Sequence, residues 1–189
     1  MTAIPVLLLC ALLLAASCYD VRSHRIPNWL VAGGAVIALF LHSVLPVGFG
    51  FISEAPGALG LLGSLKGLGL GLALLLPFYL LRAMGAGDVK LMAMVGGFLG
   101  VPDVVWALLG TFVAGGVLTL AVGLSRGVLG RTMQNIRFMI TTSAVKMYSG
   151  SLPTFDDAPT TAAKLPYGIA IALGTMSYLA YKASRLGLL

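Results

Sequence analysis

Apolar runs of membrane length recur along this chain and leave few folds open to it. The first extends from about Ile4 to Tyr19, the second from about Trp29 to Pro46 and the third from about Leu65 to Leu81. Crossing a bilayer as a helix takes about 20 apolar residues. Inside lipid every backbone polar group must find its partner within the protein, so such runs fold as helices. Charged residues make up 10% of the chain, against about 25% in an ordinary soluble domain. The expected fold is an all-α integral membrane protein with about six transmembrane helices, in one domain over residues 1–189.

The remaining runs complete that count. A short fourth run spans about Val89 to Gly100, with Pro102-Asp103 as the turn after it. The fifth runs from about Val104 to Leu124, and the sixth from about Leu165 to Lys182. Residues 47–64 read as a loop or interfacial segment. Residues 125–164 read as a cytoplasmic loop. Within it Met133, Ile136, Ile140, Ala144 and Met147 form an apolar stripe flanked by Arg131, Arg137 and Lys146. That pattern fits an amphipathic helix on an anionic membrane surface, or equally a solvated loop helix.

Charge order sets the expected orientation. No Lys or Arg precedes the first run, and Arg22, His24 and Arg25 follow it, as in an uncleaved helix whose N-terminus is outside. Six alternating crossings then place nine Lys and Arg residues inside and three outside (Lys66, Lys182, Arg185). The net charge of +6 follows this topology and points to anionic lipid, with no nucleic-acid partner expected. Cys10 and Cys18 lie eight helical residues apart, roughly 12 Å of rise, too far for a disulfide.

Only six acidic residues are present, and two of them adjoin apolar runs: Asp20 and Asp88. Ionisable groups at the edge of lipid are costly and tend to serve function. By the same parity both face the cytoplasm at similar depth. Asp88 closes Gly85-Ala86-Gly87-Asp88. Its glycines permit unusual backbone angles and leave room for a substrate strand to pair with the backbone; a plain helix cap is the competing reading. Asp20 could instead pair with Arg22 or Arg25. If the two carboxylates meet, they share a proton: one member activates water while the other polarises a carbonyl. A metal-binding use is disfavoured, because zinc would want additional His or Cys, and no phosphate-cradling Walker motif is present. A serine hydrolase is disfavoured by the lack of GxSxG.

Taken together, Asp20 with Arg25-Ile26-Pro27-Asn28, Gly85-Ala86-Gly87-Asp88-Val89-Lys90-Leu91, and Leu165-Pro166-Tyr167-Gly168 resemble the three motif blocks of the type IV prepilin peptidase family, membrane aspartic proteases of the GxGD class. The resemblance spans nearly the whole chain. It implies removal of a basic leader from prepilins or pseudopilins at the cytoplasmic face of the bacterial inner membrane. Asp20 and Asp88 become the catalytic pair; Gly85, Gly87, Lys90, Arg25 and Pro166 become substrate contacts. No metal or other cofactor is implied. Long members carry an N-terminal domain with cysteine pairs and also methylate the new N-terminus. Starting at its first helix, this chain resembles the short form of Flp-type, tight-adherence pili, for which cleavage without methyl transfer is expected. Two alternatives stand beside this reading. One is a presenilin- or signal-peptide-peptidase-like intramembrane protease. The other is a transporter or scaffold whose aspartates relay protons.

Overall fold

The computed structural model describes residues 3–125 and 166–187. These form six helices: α1 (Ala3–Ser23), α2 (Asn28–Val44), α3 (Gly60–Leu80), α4 (Ala86–Leu99), α5 (Val101–Ser125) and α6 (Tyr167–Arg185). Apart from Ser125, which ends α5, the expected cytoplasmic loop and its apolar stripe lie outside the described residues.

Three of the six are long and apolar enough to cross a membrane: α1 from Ile4, α3 and α5. Their most apolar windows are only 28%, 22% and 22% buried within the protein. So much outward apolar surface is untenable in water and is what lipid solvates. Among the described residues the fold is all-helical, with three candidate membrane spans. α2 is shorter, at 17 residues, and α4 has 14, or about 21 Å of rise against a hydrocarbon core of about 30 Å.

α4 is the axis of the fold. It packs on α2, α3 and α5 and touches α1 and α6. From Leu91 to Gly100 every residue is buried. The α3–α4 seam explains how a helix can be enclosed so tightly. A β-carbon added at Gly67 would strike the carbonyl oxygen of Gly96, and one at Gly96 would strike that of Gly67. Small residues let backbones touch where lipid offers no hydrophobic drive between helices. Ser64 reinforces the seam by donating to the Gly97 carbonyl at 2.7 Å.

Several boundaries differ from the sequence reading, each for a local reason. α3 begins at Gly60, within the expected loop 47–64, because the preceding chain is held against α4. Leu59 N–H donates to His42 Nδ1 at 2.9 Å, leaving the other ring nitrogen of the buried His42 to donate to the Phe98 carbonyl at 3.1 Å. No turn forms at Pro102-Asp103. The break is Gly100 alone, with φ +83°, a left-handed value that costs glycine little, and α5 starts at Val101. Pro102 sits in the first turn of α5, where its missing N–H is harmless. Asp103 faces inward from that turn, accepting hydrogen bonds from Tyr178 and pairing with Lys182 of α6.

Candidate active site

α1 does not stop at its apolar run. It continues past Asp20 to Ser23, and its C-terminal cap is His24, whose N–H donates to the Asp20 carbonyl at 2.8 Å. His24 holds φ 48°, a left-handed angle rare for a residue with a side chain. Asp20 therefore occupies the last turn of α1, 6% exposed. Among the described residues no ion pair joins it to Arg22 or Arg25. Its partner comes from the far end of the chain: Gly168 N–H donates to Asp20 Oδ2 at 2.8 Å. Gly168 lies in the first turn of α6, where backbone N–H groups have no helical acceptor and the helix dipole favours an anion. A β-carbon at Gly168 would lie 2.9 Å from the same oxygen, so only glycine leaves the carboxylate this close. Ser17 seals the joint by donating to the Gly168 carbonyl at 3.2 Å.

Asp88 lies within α4, two residues after the helix begins at Ala86. Its Oδ2 accepts the Gly85 N–H at 3.2 Å, so the side chain caps its own helix as well as facing the cavity. Gly85 is the N-cap, at φ −75° and ψ 151°, an extended conformation open to any residue. The expectation that the glycines supply unusual backbone angles is thus corrected: neither Gly85 nor Gly87 has positive φ. They supply room. A β-carbon at Gly85 would come within 3.3 Å of Asp88 Oδ2, and one at Gly87 within 3.3 Å of Ile26.

Asp20 and Asp88 line one cavity of about 280 Å³, together with Arg25, Asn28, Gly85 and Gly87. The two carboxyl groups face one cavity although 68 residues separate them in sequence. Of the other residues singled out in sequence, Arg25, Gly85 and Gly87 line this cavity. Lys90 stands at its border, donating to Asn28 Oδ1 at 2.9 Å. Pro166 does not line it. As N-cap of α6 it lines a separate apolar cavity of about 140 Å³ between α5 and α6. Sequence reasoning passed over Gly168, though it stands in the Leu165-Pro166-Tyr167-Gly168 block. It also passed over Asn28 and His24, which reach the cavity through the tight turn after α1.

Comparison with curated proteins and with solved structures gives no match. A family model does match, over residues 7–120, a stretch that runs from α1 to α5 and includes both aspartates of the cavity. On that match, which covers well over half of the 189 residues, the chain belongs to the type IV leader peptidase family.

Proposed function

We propose that the protein is a prepilin leader peptidase in which Asp20 and Asp88 hydrolyse the peptide bond as an aspartic pair. The observation that carries the proposal is one shared cavity lined by both carboxylates, inside the segment matched by the leader peptidase family. With one proton between them, the ionised member draws a proton from water as the water attacks the scissile carbonyl. The protonated member donates to the carbonyl oxygen, and collapse of the tetrahedral intermediate returns a proton to the leaving amine. The two roles are assigned to the pair.

Gly85 and Gly87 leave space for an extended substrate backbone beside Asp88. Arg25 and Lys90 are proposed to meet polar or acidic groups of the substrate. Pro166 is proposed to serve substrate binding indirectly, by setting the start of α6 and with it the Gly168 N–H. The proposed setting is the bacterial inner membrane, with six crossings, the N-terminus outside and the cavity open to the cytoplasm. Tyr19 and Trp29 support that depth. Their rings pack edge to face at 6.2 Å beside Asp20, both exposed, as aromatic residues are at a membrane interface. The substrate class is the Flp-type prepilin, and the reaction ends at hydrolysis, without methyl transfer.

Purified protein in detergent, mixed with a Flp-type prepilin, tests this by mass spectrometry of the product. The expected result is a new pilin N-terminus after the leader, with Asp20→Asn and Asp88→Asn each at least about a hundredfold slower, as loss of acid–base catalysis implies. Normal cleavage by either variant would remove the pair from the mechanism. A product heavier by one methyl group would overturn the hydrolysis-only reading.

A further inference from the structure

Beside the aspartate cavity lies a second depression, about 220 Å³, between α2 and α3. Its floor is α4, through the buried Ala93 and Met94. Val31, Ala32 and Ala35 of α2 form one wall, and Leu68 and Leu72 of α3 form the other. The rim residues Ala32 and Leu72 are exposed on the outer surface of the bundle, where the neighbouring apolar helix faces meet lipid. The groove and the aspartate cavity are continuous in one respect: Asn28 lines both. The Lys90–Asn28 hydrogen bond closes the boundary between them. That bond joins two exposed side chains, where water competes for both partners, so it can open and re-form.

We propose that this groove docks the apolar segment of the substrate that follows the scissile bond, delivering the bond sideways from the bilayer to the aspartates past Asn28 and Lys90. The inference rests on the peptidase reading above. Three observations favour a peptide helix as the occupant. Asp20 is almost fully buried, so a membrane-resident peptide must reach it along a prepared path. The groove meets the cavity at a shared polar residue, where an apolar segment would give way to a reacting amide. On α2 the wall beyond Asn28 consists of Val31, Ala32 and Ala35, and the two alanines allow another helix to approach closely. At roughly 30 Å³ per water-sized volume, the groove admits one or two aliphatic side chains of a helix laid across it, rather than the helix itself.

The test is photo-crosslinking with a benzophenone amino acid placed in turn at Ala32, Leu72 and, as a lipid-facing control on α5, Val113. The protein carries Asp88→Asn to hold the substrate uncleaved, and the probe is full-length Flp-type prepilin in vesicles of phosphatidylethanolamine and phosphatidylglycerol. Wild-type protein is assayed for cleavage in parallel. Adducts from positions 32 or 72 that map to the first turns after the scissile bond, with none from 113, are the expected result. Ala32→Trp should also raise KM at least about tenfold with kcat little changed, as loss of uniform binding requires. Equal prepilin adducts at all three positions would overturn the groove and leave the peptidase reading standing. So would adducts only to lipid at 32 and 72 while the wild type cleaves. A wild type that cleaves no prepilin would remove the peptidase reading, and this inference with it.

Discussion

Gly168 shows how little of a site need consist of reactive side chains. It contributes one N–H to Asp20 and the absence of a β-carbon. Gly168→Ala would push a methyl group against Oδ2, shifting the carboxylate by a few tenths of an ångström or more. The expected result is an approximately tenfold fall in kcat with KM held, read in the prepilin assay, since small misplacements of acid–base groups are costly.

At the scale of helices, the α3–α4 seam decides where the GxGD segment stands. Gly67 and Gly96 bring two backbones into contact, and Gly100 ends α4 so that α5 can turn back beside it. Gly96→Leu must force that seam apart. A loss of stability above about 3 kcal/mol is expected, at the severe end of single substitutions, together with lost cleavage. Thermal melting in detergent reads the first effect. Helix ends were the least legible elements in the sequence. The apolar runs locate five of the six helices within a few residues, but the start of α4 depends on a side chain bonding backwards to Gly85, and the start of α3 on a bond to His42. Hydropathy carries no trace of either bond. The turn expected at Pro102-Asp103 failed because proline is as comfortable in a first helical turn as after a last one.

Across the whole molecule, α6 is fastened at both ends. Near the cavity Gly168 holds Asp20; 10 and 14 residues further along, Tyr178 and Lys182 hold Asp103 at the start of α5. Asp103→Ala would leave a partly buried ammonium without its partner. A loss of about 2–4 kcal/mol is expected, since breaking one side of such a pair exposes the desolvation cost of the other. Whatever fraction remains folded should cleave at the wild-type kcat, because Asp103 lies outside the aspartate cavity. Active-site titration against total protein separates the two effects.

The sequence by itself determined the solvent, the helical class, the candidate carboxylates and the family. Each of these follows from local chemistry: an apolar run must be a helix in lipid, an acid beside one is expensive, and short motifs are contiguous. Only the tertiary structure decided that Asp20 and Asp88 share a cavity, that Asp20 takes its hydrogen bond from Gly168, and that Pro166 lines a different space. Those outcomes depend on contacts between residues 68 and 148 positions apart. Such contacts are set by how closely glycine faces let helices approach, and the pattern along any one helix leaves that distance unspecified.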